Sequence, residues 1–429
     1  MKVSKISLSN WFATGFFLGD QNFVKKKYLG DDFSSNFEWS SNPRNISLDS
    51  AVSEFSNIFE SIIEREIKGK NIILPLSGGL DSRTLAASLK DYKNVVVISY
   101  EFEGGLKETG YAQKIAKVYD WEFHKYQIKN GYLWDKLESL SNITKCQTEF
   151  THPRQMAIID EISDFGDVFL SGQWGDVLFN SYGMSPKDSI SKQILKLIKL
   201  ISKPGGIELS KDLWDFWGLD GDFETSFYQK IKSEYDKIHI SEPNAKIRAF
   251  KSLQWAPRWA NSNLKVFSYK KDIILPYYDK SMLEYISSVP EKILDKRKIQ
   301  IEYIKNKSRE LSLIPWQHYD LNLYQYQNFN SLYLPRRVFR YTKRLFKEII
   351  MRKNKIIQRN WELQFIGRKN ENNLKKWLFE TEELKEIVPI ELITKYYKNF
   401  KTVNPVKYSH PISMLLTLAV WSKFHWKKK

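Results

Sequence analysis

A chain of 429 residues, 42 % hydrophobic and 15 % aromatic, has the length of two or three domains and ample material for sizeable cores, which excludes wholesale disorder. Its 67 Lys and Arg against 50 Asp and Glu give a net charge of +17, which invites a nucleic-acid or anionic-membrane reading until the charge is located. The single cysteine, Cys146, excludes a disulfide framework and a cysteine-based zinc site and fits a reducing compartment, and the six histidines show no metal-ligand spacing.

Residues 1–49 are rich in Ser, Asn, Phe and Gly and read as short strands and turns, too little for an independent domain. They contain no uninterrupted apolar core followed by a small-residue cleavage site, so no signal peptide is read there and the cytoplasm is the default location. From Ser50 the spacing of Phe55, Ile58, Phe59, Ile62, Ile63 and Ile67 predicts an amphipathic helix capped by Asp49 or Ser50. Then comes an alternation. Strands are predicted at 71–76, 94–100, 122–128 and 168–171, with helices at 82–90, 108–119 and around 152–162 between them. A βαβ series of this kind implies a mainly parallel sheet in an α/β domain, with ligands at the carboxyl ends of its strands. Beyond Tyr182 the chain turns largely helical, most clearly over 183–270 and 330–425. The apolar run 411–421 is about half the roughly 20 residues that a spanning helix needs, and reads as a core helix.

The strongest chemical signal is SGGLDSR at 77–83, between a strand and a helix. Two glycines let the backbone approach an anion closely, while the Ser77 and Ser82 hydroxyls and the helix's first amides supply donors. This is a phosphate cradle, and it is not a Walker loop, because no lysine follows the glycines. Asp81 inside such a cradle would repel phosphate unless a divalent cation bridged them, so the carboxylate predicts magnesium.

The string LSGGLDSR resembles the pyrophosphatase loop of the N-type ATP pyrophosphatases, the PP-loop enzymes of adenine nucleotide alpha hydrolase-like fold. LSGQWGDVLFNSY at 170–182, LPYYD at 275–279 and MLLTLAVW at 414–421 resemble, in order, strings of the asparagine synthetase synthetase domain. The resemblance spans about 50–425. It implies an ATP-dependent, AMP-forming ligase that adenylates a carboxylate and transfers the acyl group to ammonia or an amine. It further implies that Ser77, Gly78, Gly79, Asp81 and Ser82 hold the pyrophosphate. Ile98, Ser171 and Gly172 would form the nucleotide pocket through backbone groups, and Asp81 and Asp176 would bind Mg2+. Glu108 matches an acidic position of the family, and a solvated or structural role suits it equally.

Three departures from the family bear on chemistry. The glutaminase domain begins with a cysteine after the initiator methionine, whereas residue 2 here is lysine; residues 12–30 resemble only the end of that domain. Glutamine hydrolysis is therefore not expected of this chain, and nitrogen would come as ammonia, from an amine acceptor, or from a separate ammonia-supplying glutaminase. Gln173 stands where the family has glutamate or, in β-lactam synthetases, tyrosine; it can orient a nucleophile but cannot take its proton. No lysine occurs between Lys307 and Lys343, where the family places one beside the departing AMP, which leaves His318, Arg309 and Arg336 as candidate substitutes. These departures motivate a second reading, a nucleotide-binding scaffold with impaired catalysis. A third, an RNA-modifying ATP pyrophosphatase, fits the later strings less well. The carboxylate, whether a small molecule such as aspartate or a sugar acid, a glycan or a peptide, is not chosen by these residues.

The charge, finally, is concentrated. Residues 336–359 hold ten basic residues against Glu348 alone, more than half of the net excess, with Val338, Tyr341, Leu345 and Ile349 at helical spacing. A solvated helix packed on the domain, a membrane-surface helix on an anionic bilayer and an RNA-binding face all share that pattern, the last disfavoured by the later strings. The chain would then be cytoplasmic, with the segment able to place it at the membrane periphery.

Overall fold

The computed structural model describes residues 2–24, 37–105, 107–327 and 362–426, with single positions at 335 and 342. Apart from Thr342, residues 336–359, and with them the basic-helix reading and Arg336, lie outside the described residues.

Five strands, β1 (Ile72–Pro75), β2 (Val95–Phe102), β3 (Glu122–Ile128), β4 (Val168–Leu170) and β5 (Asp272–Ile274), form one sheet in the order β3-β2-β1-β4-β5. Every pairing is parallel. The three central strands are largely buried because helices cover both faces, with β1, β4 and the first half of β2 apolar, whereas β3, at the edge, is mostly exposed or half-buried. The chain builds outward from β1 to β3 and then crosses back to add β4 and β5 on the other side. The crevice between β1 and β4 is thus the switch point, where loops leaving the two strands diverge and leave room for a ligand.

The helices α1 (Lys5–Thr14), α2 (Leu48–Ile67), α3 (Leu80–Ser88), α4 (Thr109–Val118) and α5 (Leu133–Thr144) flank or precede this series. Helix α2 buries Phe55, Phe59, Ile62, Ile63 and Ile67 as its spacing requires, but its cap is Ser47, whose hydroxyl accepts from Ser50 N at 3.1 Å. The crossover between β3 and β4 differs from expectation. Its long helix is α5, and the 152–162 stretch is only a 3-10 turn, Arg154–Ala157, and one α turn, Ile159–Ile162. Strand β5 was not foreseen, because three residues cannot show a period.

The N-terminal segment is also corrected. Instead of short strands, residues 5–14 form α1, whose Trp11, Phe12 and Ala13 are fully buried. Trp11 Nε1 donates to Gln147 O at 2.7 Å, and its ring packs on Phe12, Phe17 and Phe23. A glycine admits this helix, since a Cβ at Gly206 would meet Phe12 O, and a second admits the last helix, since one at Gly205 would meet Lys407 O. The helix Pro204–Phe216 therefore sits tightly between α1 and the last helix, Pro405–Phe424, whose residues 408–422 are all buried. Among the described residues no helix is long and apolar enough to cross a membrane.

Candidate active site

The glycine turn leaves β1 at the switch point and closes on itself. Ser77 N donates to Ser82 Oγ at 3.2 Å, the two hydroxyls lie 3.1 Å apart, and Gly79 N donates to Ser77 Oγ at 3.2 Å. Gly79 then caps α3 in an extended conformation, so the first amides of the helix face the turn. Gly78 has no room for a side chain. A Cβ at Gly78 would stand 2.7 Å from Gln317 Cβ and 3.0 Å from Tyr111 Cβ. From β4 the loop 171–175 crosses beneath: a Cβ at Gly172 would lie 2.9 Å from the Asp81 carbonyl carbon, and one at Gly175 would strike the Asp81 carboxylate.

Between these loops lies a cavity of about 310 Å³. Of the residues expected there, Ser77, Asp81, Ser82, Ile98, Glu108, Ser171, Gly172 and Gln173 line it. Gly78 and Gly79 belong to the same turn without lining it, and Asp176 stands exposed one turn beyond Gln173. The far wall is Tyr100, Arg154, Gln155 and Phe267, none of which the sequence reading singled out. Arg154 makes no ion pair among the described residues, and its Nε and Gln155 Oε1 are buried without hydrogen-bond partners. A larger depression of about 790 Å³ lies at the opposite, amino ends of β1 and β2, lined by residues such as Arg65, Lys68 and Asn94, and away from the turn. Cys146 is fully buried and its thiol is pushed up to about 12 by that burial, so it is an inert core group.

Asp81 is the focus of the electrostatics. Burial pushes its carboxyl up to about 6; the Arg297 guanidinium pulls it down, and Asp176 adds like-charge repulsion. Arg297 Nη2 pairs with Asp81 Oδ1, and Gln300 Nε2 donates to the same oxygen at 3.0 Å and to Tyr277 Oη at 2.9 Å. No group of three His, Cys, Asp or Glu side chains able to hold a metal occurs among the described residues. Magnesium bound with phosphate needs only one or two carboxylates, the rest of its octahedron being phosphate oxygens and water. Asp81, a carboxylate whose proton affinity burial and the nearby Asp176 charge raise beside a phosphate cradle, is a donor such a cation would relieve, so the residues fit it.

Gln173 is held by its amide: Nε2 donates to Ala260 O at 2.6 Å, which leaves Oε1 as the acceptor turned to other partners. Ala260 ends a ten-residue π-helix, Lys251–Ala260, interrupted by Pro257. Its Trp259 stacks on His152 with 3.6 Å between ring centroids. The substitutes for the missing lysine do not reach the cavity, since His318 and Arg309 are exposed and neither lines it. The cations that do reach the site, Arg297 on Asp81 and Arg154 in the wall, had no motif to announce them; only the fold brings positions 297 and 154 to the turn.

The asparagine synthase family model matches residues 60–300, more than half of the chain, and so covers the turn, both loops and Arg297. The chain belongs to the asparagine synthase family. No curated protein matches it. Membership of this family of ATP-dependent synthetases agrees with the five-stranded parallel sheet and with the turn at its switch point.

Proposed function

We propose that this chain of the asparagine synthase family is an AMP-forming ligase that adenylates a carboxylate and passes the acyl group to ammonia or an amine, with no glutamine hydrolysis of its own. The observation that carries this reading is the convergence of the Ser77–Ser82 turn and the Ser171-Gly172-Gln173 loop on one cavity, with Asp81 between them. In the first step a carboxylate oxygen attacks the α-phosphorus of ATP, and the bond to the bridging oxygen breaks. Ser77, Gly78, Gly79, Ser82 and the first amides of α3 would hold the departing pyrophosphate. Ile98 and Ser171-Gly172 would receive the rest of the nucleotide. Magnesium, held by Asp81 and Asp176, would neutralise the phosphate charge. In the second step the nitrogen attacks the acyl carbon and AMP leaves. Gln173 Oε1 can accept a hydrogen bond from that nitrogen and orient it, but the proton must go to solvent or to AMP, since an amide is no base at neutral pH.

The nitrogen source would be free ammonia, the acceptor's own amine, or ammonia from a separate glutaminase. The carboxylate would be a small molecule such as aspartate or a sugar acid, or belong to a glycan or peptide. The basic residues 336–359 would dock the enzyme on an anionic membrane surface. Pyrophosphate release, measured over a panel of carboxylates with ammonia and without glutamine, tests the reading; turnover with at least one carboxylate is expected. Intact ATP binding without ATP–pyrophosphate exchange for any of them would instead favour the second reading, a nucleotide-binding scaffold, which Gln173 and the lack of a lysine between Lys307 and Lys343 motivate.

A further inference from the structure

We propose that Arg297 is a partner-exchanging phosphate ligand: it neutralises Asp81 in the free protein and moves to the pyrophosphate end of ATP when a divalent cation takes the carboxylate. This rests on the nucleotide-binding reading above. The guanidinium is only 12 % exposed and pairs with a carboxylate that is itself 23 % exposed, inside the turn that cradles phosphate. Gln300 fixes the pair from both sides, accepting from Arg297 Nε at 2.7 Å through Oε1 and donating to Asp81 at 3.0 Å through Nε2.

The backbone points the same way. Lys296 and Arg297 both adopt left-handed conformations, φ 57° and 60°, at the start of the helix Lys298–Lys307. Neither is glycine or asparagine, so each position stores backbone strain. Simple continuation of a helix would not need that strain; aiming residue 297 at the turn does. Arg297 and Gln300 both take Asp81 Oδ1, and a magnesium ion that binds this oxygen takes the lone pairs the guanidinium uses, so metal binding there displaces Arg297. A mostly buried guanidinium left without an anion is strongly unfavourable. The anion that arrives with the metal, at the same turn, is the phosphate chain, whose oxygens match the guanidinium's paired donors.

Calorimetry on the full chain with Mn2+ alone, inorganic pyrophosphate with Mg2+, ATP with Mg2+, and AMP tests this. In Arg297→Gln, Mn2+ alone should bind at least about threefold tighter, because its competitor is gone. Pyrophosphate and ATP should bind at least about tenfold weaker, because their ligand is gone, while AMP should be unchanged. Arg297→Lys, which keeps the charge but loses the fork, should fold and fall between the two. Equal loss for AMP and pyrophosphate in both variants, or no change for pyrophosphate, would overturn the assignment while leaving the nucleotide site standing. Failure of the wild-type chain to bind ATP at all would overturn the nucleotide reading and this assignment with it.

Discussion

The guanidinium of Arg83 is fully buried, and among the described residues it has no carboxylate partner. Backbone carbonyls take its donors: Ile314 O at 2.7 Å, Pro315 O at 2.9 Å, and Leu311 O and Gly78 O at 3.4 Å. Burial without a counter-charge lowers its pKa to about 10, and the residue ties the segment 311–315 to the phosphate turn. Replacing Arg83 by Met would free four carbonyls under the turn. A stability loss of about 3–5 kcal/mol in urea unfolding is expected, with Lys giving only partial rescue because it lacks the planar fork. Lys251 poses the opposite case. Its ammonium lies over the rings of Trp255 and Tyr182, at 4.5 and 5.3 Å. Burial lowers it from the ordinary 10.5 to about 8, with Asp176 opposing that shift and Lys203 adding to it. Below about pH 8 both folded and unfolded chains carry the proton and the burial penalty is complete; between about 8 and 10.5 only the unfolded chain holds it, so stability rises with pH. The wild type should therefore gain on Lys251→Met by up to about 3 kcal/mol over that window, at about 1.4 kcal/mol per pH unit, in metal-free unfolding titrations.

At the scale of elements, close approach decides more than propensity. The helix Pro204–Phe216 touches α1 because position 206 is glycine; a Cβ there would meet Phe12 O, backbone that cannot yield without moving α1. Gly206→Ala should cost more than the small propensity gain of alanine returns, a net loss of about 1–3 kcal/mol by thermal or chemical unfolding. Gly172 plays the same part where the β4 loop passes under Asp81, with 2.9 Å to the carbonyl carbon. Gly172→Ala should leave the sheet folded by circular dichroism and lower ATP affinity tenfold or more. Equal affinity for the variant and the wild type would show that the loop does not shape the nucleotide site. The π-helix Lys251–Ala260 fits the same logic. Its last carbonyl takes the Gln173 amide, and its aromatic side chains Trp255 and Trp259 stack with centroids 4.9 Å apart.

At the scale of the whole molecule, the first two dozen residues are built into the core. Trp11 is completely buried in a cluster shared with the last helix, and His410 Nε2 lies 2.9 Å from Phe12 O. Trp11→Ala should cost about 3–5 kcal/mol, and removal of residues 1–24 should leave an insoluble chain, measured by soluble yield and unfolding midpoint. A truncated protein that unfolds at the wild-type midpoint would contradict the packing. The place of the N-terminal segment in the fold is that of a helix buttressing the synthetase core.

What the sequence determined by itself is the local and periodic part. The strand at 122–128 coincides with β3, the other three expected strands fall within about two residues of those observed, and the turn at 77–82 sits between strand and helix as its residues require. Hydrophobic period and turn chemistry are properties of neighbouring residues, and so is the motif that places Ser77, Asp81 and Ser82. Helix α1, strand β5 and the broken 152–162 stretch escaped it. The first is buried on most sides with Ser7, Ser9, Asn10 and Thr14 among its buried residues, so it shows no amphipathic period, the second is too short to show a period, and the third gave up its helix to the packing of the crossover. The tertiary structure alone decided which cations serve the site. Arg297 and Arg154 stand far from the turn in sequence, on segments with no motif, and become its neighbours only because parallel strands and their crossovers gather distant loops at one end of the sheet.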